Sequence, residues 1–175
     1  ALACEGLPRE PDGVAVPPLH LFVEEALPVL KETGCSLWFE PGRSIVANAG
    51  ILLTRVLYTK ENGAKKFVVV DAGMNDLLRP SLYNAYHQIV PLKLQTYECE
   101  KVDVVGPICE TGDFLARDRS LNKSKRNDAL AVMTAGAYGF SLSSNYNARL
   151  RPAEILVNGD KVRVIRDRQT MDQLQ

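Results

Sequence analysis

Two Asn-Gly pairs constrain this chain more than any other feature. Asn62-Gly63 separates "ILLTRVLYTK" from "KKFVVVDAG", and Asn158-Gly159 separates "AEILV" from "KVRVIR". The favoured two-residue hairpin turn needs positive φ at both central residues, which asparagine and glycine reach at little cost, so each pair predicts an antiparallel hairpin. Further strand-like runs, "LKLQTYE", "KVDVVGP" and "ALAVMTAGA", follow with turn signals between them. Strands in this number and spacing describe an all-β sandwich or barrel. "MNDLLRPSLYNAYHQIV" interrupts the series, and its spacing suits one or two short helical turns.

The first fifty residues follow a different grammar. "ALAC" through Pro17 shows no periodic apolar pattern and reads as an extended or poorly ordered lead-in. "PPLHLFVEEALPVLKETG" then places Leu19, Phe22, Val23, Ala26, Leu27 and Leu30 on a helical stripe, with Gly34 set to end it and Pro28 set to shorten or kink it. "CSLWFEPGR" follows as a short apolar strand stopped by Pro41-Gly42. Helix, apolar strand and glycine turn make up a parallel α/β unit. The chain therefore reads as mainly β with an α/β portion: residues 1–50 as the tail of an α/β domain and residues 51–175 as a β-sandwich or barrel domain.

Composition removes several function classes. The 21 basic and 21 acidic residues cancel, so no charge excess recommends nucleic acid or an anionic membrane as partner. The densest basic patch, "KSKR" at Lys123 to Arg126, lacks aromatic neighbours for base stacking and reads as a solvated loop. No apolar run approaches the roughly 18 to 20 residues of a membrane span, which points to the cytoplasm. Cys4, Cys35, Cys99 and Cys109 include no C-x-x-C pair, so no metal site is expected and reduced thiols are the simpler reading.

Four stretches carry residues capable of chemistry. In "FEPGRS", Gly42 and Arg43 can face a phosphate and Glu40 can pair with a protonated ring nitrogen, although the segment also reads as a plain turn. In "NDLLRPSLYNAYH", Arg79 and Tyr83 are four apart and share a face if helical, suiting a carboxylate ligand or a simple arginine-over-ring contact. In "AGAYGFSLSSNYN", small residues around Tyr138 permit close backbone approach, either to a ligand or to another element. "VGPICETGDFLARDR" sets Cys109 beside Glu110 and Asp113, neighbours that disfavour a thiolate. Cys109 is then a buried filler or a thiol that donates a proton.

Taken in order, "EPGR", "VDAGMNDLLRPSLY", "VGPICETGDFLARDR" and "AGAYGFSLSSNYN" resemble the diaminopimelate decarboxylases, pyridoxal-phosphate enzymes of the alanine-racemase-like fold, from about Pro18 to the C-terminus. The resemblance implies the last strand and helices of a (β/α)8 barrel that holds pyridoxal 5'-phosphate, followed by an all-β domain. It implies decarboxylation of meso-diaminopimelate to L-lysine by a head-to-tail homodimer with shared active sites. Glu40 would pair with the cofactor's pyridine nitrogen, and Gly42 with Arg43 would line its phosphate, Arg43 also lying near the substrate. Arg79 and Tyr83 would bind substrate, and Tyr138 would touch both cofactor and substrate. Cys109 would protonate the α-carbon in the partner's site, kept a thiol by Glu110 and Asp113, while Glu110 would also meet the distal ammonium of the substrate.

The resemblance also marks what this sequence does not contain. The family's cofactor-anchoring lysine and glycine-rich phosphate loop lie on earlier barrel segments, and no lysine here precedes "EPGR" in a matching motif. The chain is therefore expected to be the C-terminal segment of such an enzyme and inactive alone. "KRNDALAV" departs from the Pro-Gly turn usual in the family. Two rivals remain open: a related decarboxylase of ornithine, arginine or carboxynorspermidine, and a non-catalytic dimerisation or regulatory β domain.

Overall fold

The hairpin demanded by Asn62-Gly63 forms the centre of the fold. In the computed structural model, which describes residues 18–93 and 98–174, β1 (Leu52–Asn62) pairs antiparallel with β2 (Lys65–Val70), and Gly63 takes a φ of 61° between them. The remaining strands of the main sheet are β3 (Ile89–Pro91), β4 (Cys99–Val105), β5 (Phe114–Asn122) and β6 (Ala129–Val132). Their order across the six-stranded sheet is β3-β6-β1-β2-β4-β5, with β2 and β4 parallel and every other pair antiparallel. The second predicted hairpin forms a separate two-stranded sheet, β7 (Glu154–Asn158) with β8 (Lys161–Arg166), and Gly159 has a φ of 61° at its turn.

Curvature brings the two edges of the large sheet together, giving a mostly β chain built on a nearly closed barrel. Arg119 of β5 donates through Nη1 to the His87 carbonyl just before β3, at 2.9 Å, and its guanidinium lies 3.9 Å from the Tyr86 ring centroid. The interior is filled by Val56, Val68, Val70, Ile89, Val102, Val104, Leu115, Leu121, Leu130 and Val132 from the strands, with Leu77 from the connection after β2. Closure removes the exposed edges that an open sheet must otherwise protect.

Helix α1 (Leu19–Glu32) runs through Pro28 and stops where predicted: Thr33 donates to the Leu30 carbonyl at 2.7 Å and Gly34 turns with φ 65°. Its apolar stripe is not fully buried, Phe22 and Val23 being largely exposed. The expected lead-in through Pro17 lies outside the described residues. α2 (Gly42–Val46) and a 3-10 turn (Ala47–Ala49) then lead into β1.

Three sequence expectations change. "CSLWFEPGR" forms no strand, because a strand is defined by its ladder and no described segment pairs with it. "LKLQTYE" gives way to a strand that starts three residues earlier, "IVP", and its positions 94–97 lie outside the described residues. Cys99 is disulfide-bonded and Cys35 and Cys109 are free thiols, so the cysteines are not uniformly reduced. The departure at "KRNDALAV" has a simple resolution: Asn127 takes a φ of 74°, a left-handed conformation that glycine would otherwise supply and asparagine tolerates. "KSKR" lies in the polar turn between β5 and β6, where Lys123 pairs with Glu98 at 2.6 Å. No helix of the described residues is long and apolar enough to cross a membrane, and no described cluster of His, Cys, Asp and Glu could hold a metal ion.

Candidate active-site face

The connection after β2 is shaped by its own carboxylates. Asp71 Oδ1 accepts from the Thr54 hydroxyl at 2.7 Å and from the Arg55 amide at 2.8 Å, which latches the start of "DAGMND" to β1. Asp76 accepts from the Gly73 amide at 2.9 Å, and the Asp76 and Leu77 amides return to the Gly73 carbonyl. This tight loop delivers α3 (Arg79–Tyr83), with Pro80 in its first turn and Asn84 closing it at a φ of 52°. Arg79 is thereby half-buried and Tyr83 exposed.

A second approach brings Arg43 and Tyr138 to the same face. The strip "AGAYG" lies against the 3-10 turn: Ala135 donates to the Gly50 carbonyl at 2.8 Å and Gly136 to the Ala47 carbonyl at 3.0 Å. A Cβ on Gly136 would fall on the Val46 carbonyl oxygen, so only glycine permits the approach. Tyr138 follows with φ 62°, an uncommon conformation for a bulky residue, and its ring centroid is 5.8 Å from the Arg79 guanidinium carbon.

Electrostatics tie the group together. Burial, then the neighbouring Arg43 cation, holds Arg79 below the usual guanidinium range, with Tyr138 and Tyr83 acting in the other direction. Among the described residues neither arginine makes an ion pair. Two cations share one face with two tyrosines and no carboxylate to neutralise them, a donor set that fits a phosphate or carboxylate ligand. Glu40 stands exposed just before α2, its carbonyl accepting from the Gly42 amide at 2.8 Å.

Cys109 and Glu110 belong to another loop. They lie exposed on the β4–β5 loop, where Glu110 Oε1 accepts from the Gly112 amide at 3.2 Å and Oε2 from the Tyr146 hydroxyl at 3.3 Å. The Glu110 carboxylate pushes the Tyr146 phenol above its ordinary value, and burial and Cys109 add to the effect. Among the described residues, no hydrogen bond or ion pair joins Cys109 or Glu110 to Arg43, Arg79, Tyr83 or Tyr138. Asp113, at the end of the same loop, faces inward. It is buried, and its two oxygens accept from the Met74 amide at 2.7 Å and the Ile108 amide at 2.6 Å.

Sequence reasoning passed over Tyr146 and His87. Tyr146 stood inside the quoted "SSNYN" without a partner to explain it. His87 closes the quoted "NDLLRPSLYNAYH" with no spacing signal of its own, although it contacts Arg79 at 3.2 Å.

The fold and face together define a sheet domain that gathers two arginines and two tyrosines on one face and carries an exposed thiol on the β4–β5 loop. The chain belongs to the pyridoxal-dependent decarboxylases: residues 21–136 match that family's C-terminal sheet domain. It is 53% identical over 144 residues to a diaminopimelate decarboxylase of Aquifex aeolicus, covering 82% of this chain and 34% of that protein. A second diaminopimelate decarboxylase, from Zymomonas mobilis, is 46% identical across 97% of this chain and 40% of its own length. The crystal structure of the Helicobacter pylori diaminopimelate decarboxylase complexed with L-lysine superposes with a TM-score of 0.79 at 43% identity, over 91% of this chain and 39% of that one. The chain thus spans between a third and two fifths of the length of these relatives.

Proposed function

We propose that this chain serves pyridoxal-phosphate-dependent decarboxylation of meso-diaminopimelate to L-lysine, contributing the sheet domain of the enzyme. The observation that carries the reading is the pair Arg43 and Arg79, held on one face between Tyr83 and Tyr138 with no described carboxylate to neutralise them. When bound, pyridoxal phosphate supplies the electron sink that lets the substrate lose CO2. Gly42 and Arg43 hold its phosphate, Glu40 pairs with its ring nitrogen and Tyr138 packs beside it. Arg79 and Tyr83 hold the substrate carboxylate. No lysine belongs to this face, so the cofactor-anchoring lysine comes from the portion that the longer relatives carry and this chain does not span. Residues 1–50 are read as the end of that barrel domain.

Cys109 donates a proton to the α-carbon, and Glu110 receives the distal ammonium of the substrate. Their exposure, and the absence among the described residues of any hydrogen bond or ion pair joining them to Arg43, Arg79, Tyr83 or Tyr138, support donation to a second copy in a head-to-tail homodimer. The cytoplasm belongs to the same proposal and rests on amino-acid biosynthesis alone, since the disulfide at Cys99 removes the argument from reduced cysteines. The test is CO2 release by the complete enzyme, loaded with pyridoxal phosphate, from diaminopimelate and ornithine offered separately. Release from diaminopimelate is expected; release from ornithine alone would overturn the substrate assignment.

A further inference from the structure

His87 is a fully buried titratable residue to which the proposed reaction gives no role. Its Nδ1 lies 2.9 Å from the Met133 carbonyl oxygen and 3.2 Å from Thr134 Oγ1, and its Nε2 lies 3.2 Å from Arg79 Nη1. The chemistry of the neighbours places the proton. A carbonyl oxygen can only accept, so Nδ1 must carry hydrogen; a guanidinium can only donate, so Nε2 must be a bare lone pair. Thr134 agrees, because its hydroxyl donates to the same Met133 carbonyl at 2.6 Å and leaves its oxygen free to accept from Nδ1–H. Thr134 also holds a φ of 58°, a costly conformation for a β-branched residue that sets this hydroxyl against the ring.

We propose that His87, as the neutral ring protonated on Nδ1, is a positioning residue that fixes the Arg79 guanidinium for the substrate carboxylate. The inference rests on the reading of Arg79 as a substrate ligand and deepens it. An arginine that must bind an anion needs its orientation fixed without its charge being neutralised. A carboxylate in place of His87 would orient Arg79 but compete with the substrate. A neutral imidazole accepts one N–H and leaves the full positive charge, with the remaining donors of the fork, available for the ligand.

The test uses the complete holoenzyme and two substitutions that differ in reach. His87→Asn keeps a polar group near Met133 but cannot extend to Arg79, whereas His87→Gln can place its carbonyl oxygen near the position of Nε2. Loss of a hydrogen bond to a charged group predicts a KM for diaminopimelate raised about tenfold to a hundredfold in His87→Asn, with kcat within about threefold, and largely restored in His87→Gln. Arg79→Ala is the control. If it raises KM and His87→Asn does not, the positioning role is overturned while the substrate reading stands. If Arg79→Ala itself leaves KM unchanged, the substrate reading fails, and the inference with it.

A measurement independent of turnover covers variants that fold poorly. The imidazole ¹⁵N shifts of the wild-type holoenzyme, with His87 assigned by its disappearance in His87→Gln, should show a neutral ring protonated on Nδ1 at about pH 7. A ring protonated on Nε2, or on both nitrogens, would overturn the proposal whatever the kinetics.

Discussion

Cys109 shows how much one side chain can owe to its loop. It is an exposed free thiol on the β4–β5 loop, and the duty proposed for it is general acid catalysis in a second copy's site. Cys109→Ala in the complete enzyme is expected to lower kcat by about 10²- to 10⁴-fold, the usual worth of general acid catalysis. Cofactor affinity, read by absorbance titration, should hardly move; an equal fall in both would mark Cys109 as structural. His87 makes a different prediction, in pH. Burial lowers its value from the ordinary 6.5, the Arg79 and Arg119 cations lower it further, and the Met133 carbonyl opposes them. These groups come from α3, from β5 and from the segment after β6, with Thr134 completing the shell. A base whose folded value is depressed takes up protons in the unfolded state first, so its contribution is complete above about pH 6.5 and is lost as pH falls toward the folded value. Hydrogen-exchange protection of the β6 amides should therefore weaken on acidification below about pH 6.5 in the wild type, and less steeply in His87→Gln. Identical pH dependence in the two would show that His87 does not titrate on unfolding.

At the scale of elements, one carboxylate joins the two functional loops. Asp113 binds the Met74 amide in the loop that delivers α3 and the Ile108 amide beside Cys109, and its own carbonyl accepts from Gly106 at 3.1 Å. A Cβ on Gly106 would collide with the same carboxylate, so the glycine is what lets it close over the turn. Asp113→Ala leaves the buried Ile108 N–H without its partner and should cost roughly 2 to 4 kcal/mol in chemical denaturation, with kcat/KM falling through both loops. A loss below about 0.5 kcal/mol would show that the loops are held by other contacts. The sequence announced the elements with local signals most clearly: both Asn-Gly hairpins, α1 with its glycine stop, and the short helix at Arg79. It concealed β5, whose "FLARDRSLN" has charges where strict alternation would place apolar residues. The irregular register of β4 with β5, and the positive φ of Asp118 that lets its amide meet Asp103 at 2.7 Å, explain why no period-two pattern survives there. The gathering of Arg43 with Arg79 and Tyr138 was not legible in spacing either. It depends on Gly136 meeting the 3-10 turn, a contact between segments far apart in the chain that only the four motifs read together could suggest.

For the whole molecule, the decisive contrast is between a filled barrel and the bare surfaces around it. Val56, Val70, Val104, Leu130 and Val132 are wholly buried, yet Trp38 is 91% exposed, Phe39 70% and Ile45 70%, and the β7–β8 hairpin exposes Val157 and Val162 as well. Soluble domains rarely leave so many large apolar side chains in water, and such surfaces mark places where other protein packs. Trp38 and Phe39 immediately precede Glu40, so the apolar surface adjoins residues proposed to hold the cofactor. The isolated chain should consequently bind a hydrophobic dye, self-associate as its concentration rises, and release no CO2 from diaminopimelate when given pyridoxal phosphate. Supplying the remaining portion found in the longer relatives should suppress dye binding and restore turnover together, because the same contact covers the surface and brings the anchoring lysine. Turnover by the isolated chain would refute the need for that lysine. Suppressed dye binding without turnover would favour the non-catalytic module, in which this domain docks on a relative without completing an active site.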